Sequence, residues 1–281
     1  GYETTESLAL NKWVHVAVVC NSMTDIHIYF NGVEKSVIPT DGTSTSTTVI
    51  HSSANGSIGR LVTPFAEHNF NGVLDELRLW NSSRSQNDIR NYMCRKISSN
   101  SLGLIGLWRN DESYSNNTVH DYAAPSENGN INGIVNKISS GAPIGDLSDY
   151  KYTSSWTGIS LTSSSSLGDK LTASKITGNP YGIHVYVINS KPFSTTGLNN
   201  TPNSYFGVFC AENNSNAGFK VVYKYSGMNG VITSDNENSA SLMKRNDGSA
   251  ATWTNLNGLL DTSLNRISKA NQATYKEYTL N

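Results

Sequence analysis

The stretch Trp13 to Cys20, WVHVAVVC, decides the fold. Trp13, Ala17 and Val19 alternate with Val14, Val16, Val18 and Cys20, and only His15 interrupts the apolar pattern. Period two with apolar residues on both faces predicts a central strand lying between two covered surfaces. Ile26 to Phe30, IHIYF, reads as the next strand. The Asn31-Gly32 pair behind it tolerates the positive φ that a two-residue hairpin turn requires. Strand, polar turn, strand, Asn-Gly turn, strand is the order of an antiparallel sheet.

Working outward, the 281 residues can bury one or two cores, and two domains are the expectation. Charged residues make up only 15% and the formal net charge is -1, so Ser, Thr, Asn and Gly carry the polarity. Such a surface has little electrostatic pull on phosphate, and no run of Lys or Arg occurs, which argues against nucleic acid as a partner. No stretch approaches the roughly 20 apolar residues of a membrane-spanning helix. Cys20, Cys94 and Cys210 have neither a disulfide-framework nor a zinc spacing and are expected to be reduced core or helix residues.

Val33 to Pro39, Thr48 to His51 and Ser57 to Arg60 read as short strands, with a Thr/Ser-rich loop at Asp41 to Ser46. Phe70 to Trp80, FNGVLDELRLW, is a strand whose expected inner set is Val73, Asp75, Leu77 and Leu79, opposite Leu74, Glu76, Arg78 and Trp80. That register puts the Asp75 carboxylate among apolar neighbours, where it must find donors or shift its pKa. The period then changes. Ser85 with Asp88 three residues on forms a capping box, and Ile89, Tyr92, Met93 and Ile97 share one helical face. The helix is expected to run to Ile97 and to lie against the sandwich or over one of its ends, where it could cover Trp80. Gly103 to Trp108 returns to extended structure, with Thr118 to Tyr122 and Ile131 to Val135 as closing strands.

A boundary is expected at Ser139 to Ser148, where Gly141, Pro143 and Gly145 sit among polar residues. Beyond it, Tyr181 to Ile188, Tyr205 to Cys210, Phe219 to Tyr225, Ser241 to Lys244, Ser263 to Ser268 and Tyr275 to Leu280 read as strands. Ser155 to Leu161 and Lys170 to Ala173 add two more, enough for a second antiparallel sandwich. Phe219, Val221, Tyr223 and Tyr225 share a core-facing side, with Lys220 and Lys224 towards water.

KWVHVAVVCN, IHIYFNGV, SIGR, FNGVLDELRLWN and SRSQNDIRNYM, in that order from Lys12 to Met93, resemble the laminin-G-like or concanavalin-like jelly-roll superfamily in its pentraxin-like branch. The resemblance implies an all-β chain: residues 1–138 as the C-terminal portion of such a domain, lacking its N-terminal strands, and 139–281 as a β-sandwich accessory or C-terminal domain. It also implies that strands completing the first sheet come from an upstream fragment of the same precursor or a neighbouring surface-protein chain. SGAPIGDLSDY and the strands after it resemble sandwich modules of Bacteroidetes-type surface proteins.

Carbohydrate binding needs an exposed aromatic beside amides or carboxylates, and Trp80 and Trp108 are the candidate ligand-binding residues. Lectin-like jelly rolls often hold calcium through loop carboxylates, so Asp25, Asp111 and Asp121 are the candidate metal ligands, with Asp41 and Asn55 also available. Trp13, Asp75, Gly32 and Gly72 are expected in structural roles. His15 and His27 could face each other across the first hairpin as a cross-strand pair. Asp75 and Glu76 are adjacent and point to opposite faces, unlike two carboxylates flanking a glycosidic bond, and no nucleophile elbow or phosphate loop occurs. The expectation is therefore a non-enzymatic extracellular or cell-surface adhesion and recognition fragment that binds glycan or matrix. A structural, fibre or spacer module, or a C-terminal secretion-and-anchoring region, is the alternative. A surface glycosidase with its catalytic portion upstream ranks third.

Overall fold

The computed structural model describes residues 1–40, 56–62, 67–113, 115–211, 217–227, 229–273 and 275–281. The strand expected at Thr48 to His51, the loop at Asp41 to Ser46 and the candidate ligands Asp41 and Asn55 lie outside these residues. In chain order the elements are β1 (Tyr2–Thr4), β2 (Val16–Ser22), β3 (Asp25–Phe30), β4 (Val33–Lys35), β5 (Val37–Pro39), β6 (Arg60–Val62), β7 (Glu67–Asn69), β8 (Leu77–Trp80), α1 (Gln86–Tyr92), β9 (Leu104–Trp108), β10 (Thr118–Val119) and β11 (Gly129–Asn130). There follow β12 (Leu147–Tyr152), β13 (Ser160–Ser164), β14 (Lys170–Thr177), β15 (Gly182–Ile188), β16 (Tyr205–Ala211), β17 (Gly218–Lys224), β18 (Leu242–Arg245), β19 (Thr254–Asn255), β20 (Leu259–Asp261), β21 (Arg266–Ala273) and β22 (Lys276–Leu280). The described chain is almost all β, with its sheets built from antiparallel pairs, as the sequence led us to expect.

Two large sheets form the second half. A six-stranded sheet of order β12-β15-β16-β22-β18-β19 faces a five-stranded sheet of order β13-β14-β17-β21-β20. Leu171, Val185, Phe206, Val208, Val221 and Tyr278 are among the residues that fill the space between them. In β17, Phe219, Val221 and Tyr223 point into this core and Lys224 to solvent, as alternation predicts. Some boundaries differ from expectation. The sequence at Ser263 makes a single 3-10 turn that Asn265 ends in the left-handed region at φ 50, so β21 begins only at Arg266. β12 starts inside the stretch expected to be a linker.

The first half has smaller sheets, among them β2-β3-β4 and β8-β9. Asn31 and Gly32 both have positive φ, 50 and 72, the geometry expected of a tight β3–β4 hairpin. The reading of Trp13 to Cys20 needs correction. The strand begins at Val16 and among the described residues is an edge strand, and one of its faces is open: Val16 is 46% and Val18 63% exposed, and Cys20 is exposed too. Only the Val19 side is covered, against Tyr29 and Ile89. The strand buried on both faces is instead β15, every residue of which is enclosed.

β8 corrects the other facing prediction. Glu76 adopts φ 51, which interrupts the extended run, so the strand spans only Leu77 to Trp80. Val73 and Leu79, expected inside, are exposed. Arg78 and Trp80, on the expected outer side, lie against protein. The Arg78 guanidinium donates to the carbonyls of Tyr92 and Arg95, both at 2.8 Å, satisfying groups that the end of α1 leaves without helical partners. Trp80 packs on the cluster of Ile97, Leu104, Leu107 and Ala123.

Helix α1 starts as its sequence requires. Ser85 accepts from the Asp88 backbone while the Asp88 carboxylate accepts from the Ser85 backbone. It stops at Tyr92 rather than Ile97. From there Met93 and Cys94 enter a cluster with Tyr186, Ile188 and Phe209 on the outer face of the six-stranded sheet. Nine residues, Ile89 to Ile97, thus place side chains in three apolar clusters, two of the first half and one shared with the second. The expected linker is pinned as well. The Gly145 N–H donates to the Cys94 carbonyl at 3.1 Å and the Lys96 N–H to the Gly145 carbonyl at 2.8 Å. Replacing the fully buried Met93 by Ala should cost about 2–5 kcal/mol in urea unfolding, whereas Ala at the exposed Leu102 should stay within about 0.5 kcal/mol.

Candidate functional site

Where the halves meet, the Asn31-Gly32 turn inserts between α1 and β12. The Tyr152 hydroxyl donates to the Asn31 carbonyl at 2.7 Å, which uses its one proton. The His184 Nε2 at 3.2 Å must then donate to the Tyr152 oxygen, leaving Nδ1 to accept from Ser148 at 3.3 Å. The imidazole is held as one neutral tautomer, stacked on Tyr150 with centroids 5.1 Å apart. Burial, with the nearby His15 and Arg90 adding repulsion, lowers the His184 pKa to about 3. Burial and Arg78 lower that of His15 to about 4, and its Nδ1 is shut from solvent without a hydrogen-bond partner among the described residues. On the other side of the turn, the Gly32 carbonyl accepts from Arg90 Nε at 2.9 Å and Gln86 Nε2 at 3.1 Å. A side chain at Gly32 would collide with the Arg90 stem and the Tyr152 hydroxyl, so the glycine serves both the turn and the close approach.

A cleft of about 300 Å³ opens beside this seam, lined by Val33, Arg90, Tyr152, Thr153, Ser154 and Tyr181. The Arg90 guanidinium lies over the Tyr152 ring at 4.2 Å, and the Lys35 ammonium is 5.9 Å from the centre of the exposed Tyr181 ring. A second hollow of about 460 Å³ is lined by Ile26, His27, Glu34, Lys35, Ser36 and Val37. Hydrogen bonding to Glu34 leads the effects that raise the His27 pKa there. The first cleft combines an exposed aromatic face, a fixed cation and hydroxyls. Neither Trp80 nor Trp108 lines it.

Those two tryptophans sit elsewhere. Trp80 is covered by Arg84, 4.3 Å from its ring centre, and Trp108 is half-buried with Nε1 donating to the Glu127 carbonyl at 3.2 Å. The candidate metal ligands are not brought together. The buried Asp121 accepts from the backbone of Leu107, Ala123 and Glu127 at 2.8, 2.9 and 3.1 Å, so it organises its own loop. Asp25 bonds Asn21 and His27 at 3.0 and 2.9 Å. Asp111 has a pKa raised by partial burial and then by Glu76. Among the described residues no three of His, Cys, Asp and Glu gather where they could hold a metal ion. His15 and His27 do not face each other. The cross-strand partner of His27 is Val19, and His15 lies at the seam.

The residues expected in structural roles occupy informative places. Trp13 precedes β2, and its indole nitrogen lies where a Gly141 side chain would stand. The Phe70 ring similarly fills the space above Gly72. Asp75 touches the Ser140 hydroxyl and accepts from the Glu76 N–H at 2.8 Å, yet burial still pushes its pKa up to about 6. Sequence reasoning missed Arg90, Tyr152 and Tyr181. The cleft depends on contacts far apart in the chain, and its one local signal was an Arg on the helix four residues before Cys94.

The model of the concanavalin A-like lectin/glucanases superfamily matches residues 1–90. The match agrees with the laminin-G-like resemblance of that segment and includes Arg90 but none of residues 91–281. No curated protein and no solved structure matches the chain.

Two pH effects should be measurable. His15 and His184 bind protons less readily folded than unfolded, so they erode stability as pH falls from about 6.5 through 4 towards 3. His184→Gln should therefore flatten the acid limb of a stability-against-pH curve. Asp75 has the opposite sign, binding its proton more tightly when folded, so its ionisation costs stability as pH rises from 3.8 to about 6. Asp75→Asn should raise the melting temperature at pH 7.5, with the gain vanishing by about pH 4.

Proposed function

We propose that the chain is a non-enzymatic recognition module of an extracellular or cell-surface protein and binds glycan or matrix. The observation that carries this reading is the match of residues 1–90 to a lectin-bearing superfamily. A cleft with an exposed tyrosine and a fixed arginine at the joint supports it. In this reading residues 1–138 and 139–281 are two β modules, and the seam between them makes a rigid floor for the cleft. The superfamily also contains glucanases. The obvious acid pair here is engaged in other contacts: Asp75 with Ser140, and Glu76 with Arg78 at 3.0 Å. No helix among the described residues is long and apolar enough to cross a membrane.

One observation favours a second, structural reading. Among the described residues β2 is an edge strand whose open face carries Val16 and Val18, and an unpaired strand edge invites another strand. An upstream fragment of the same precursor, or a neighbouring surface-protein chain, would satisfy it, and the chain would then act as a spacer, fibre or anchoring unit.

Binding to immobilised glycans and matrix proteins separates the two. Recognition predicts saturable binding that Tyr181→Ala weakens. Absence of binding, with a second polypeptide retained under native conditions and released on denaturation, would instead establish the structural reading.

A further inference from the structure

We propose that the junction cleft binds the terminal residue of an acidic glycan, with Arg90 engaging the sugar's carboxylate or sulfate and Tyr181 stacking on its ring. This rests on the recognition reading above and names the ligand class for the same site.

Arg90 is positioned in advance. Its Nε is tied to the Gly32 carbonyl at 2.9 Å and its guanidinium plane lies on Tyr152, 4.2 Å from the ring centre. No carboxylate among the described residues forms a salt bridge with it. A guanidinium fixed in orientation and lacking an anion is suited to a planar oxyanion, because little side-chain freedom remains to be lost on binding. Lys35 differs, since its ammonium already pairs with Glu6 at 2.6 Å.

Tyr181 is 45% exposed and gives the cleft an apolar wall, with Val33 also lining it. Ser154 supplies an exposed hydroxyl, whereas Thr153 is already engaged with the Ser155 backbone at 3.1 Å. The volume, about 300 Å³, is at the small end of ligand cavities and suits the end of a chain more than its length. Charge around the neighbouring hollow agrees. Glu34 lines it on His27, and Glu6 and Asp25 stand close by on Lys35 and His27, so the cations there already have carboxylate partners and give an extended polyanion no second anchor. The geometry therefore selects one negative charge at a sugar terminus.

The test is calorimetric titration of the full chain with four probes: a glucuronic-acid-terminated disaccharide, an N-acetylneuraminyl trisaccharide, a 6-sulfated disaccharide and neutral lactose. At least one acidic probe should bind roughly tenfold or more tightly than lactose and weaken with added salt. The carboxylate and sulfate arms identify which oxyanion Arg90 takes. Arg90→Lys, which keeps the charge and loses the fork, should reduce acidic binding by about tenfold, and Tyr181→Ala, remote from the Gly32 anchor, should reduce it without lowering the melting temperature. Equal affinity for lactose, or acidic binding indifferent to both substitutions, would overturn the proposal and leave the recognition reading standing. Failure of all four saccharides to bind would also overturn the proposal, and the recognition reading would then rest on the matrix-protein arm of the binding test above.

Discussion

The outer face of the six-stranded sheet cannot be left to water. Tyr186, Ile188 and Phe209 project from it, and Met93 and Cys94 of the first half are the side chains that close over them. At about 25 cal/mol per Å² of apolar surface, covering several large side chains outweighs any single hydrogen bond at the seam. Gly207 shows how closely this layer is fitted, since a side chain there would overlap the Tyr186 ring. The polar groups follow the apolar contact. His184, Tyr152 and the Asn31 carbonyl form a chain of hydrogen bonds that is satisfied only while the hairpin turn is seated.

The cleft is a consequence of the same packing. Arg90 belongs to the helix, Val33 to the hairpin, and Tyr152 and Tyr181 to the second sandwich, so no one of these segments makes it alone. The end of the helix sets Arg90 and the capping Met93 three residues apart, one directed to the cleft and the other to the covered sheet. The proposed recognition site and the cohesion of the seam therefore depend on the same end of the helix. A loop-borne site would be freer to vary; this one is held by residues that also exclude water from the joint.

Local physics was legible in the sequence, and tertiary facing was not. The capping box at Ser85, the Asn31-Gly32 hairpin and the alternation of Phe219, Val221 and Tyr223 are short-range features, and each appears where the residues put it. Trp13 to Cys20 misled because an apolar pattern on two faces records what could be buried, not what lies above it. Val18 is open while His184, a polar residue in a similar strand, is enclosed. Arg78 misled for a related reason: a long cationic side chain can lie inside when helix-end carbonyls receive it. The metal and tryptophan candidates rested on residue type alone. Asp121 turned out to serve backbone N–H groups, and Trp80 lies under an arginine.

The three cysteines, none in a disulfide, mark the three environments on which this account depends. Cys20 lies on the open face of β2, Cys210 in the core of the second sandwich, and Cys94 at the seam. Burial also raises the Cys94 thiol pKa strongly, further suppressing its reactivity. Pulsed alkylation of the native chain, read residue by residue by mass spectrometry, should label Cys20 at once and protect Cys94 as fully as Cys210, both becoming reactive only as denaturant unfolds the chain. Labelling of Cys94 at the rate of Cys20 under native conditions would mean that the helix does not cover the sheet, and would contradict the account.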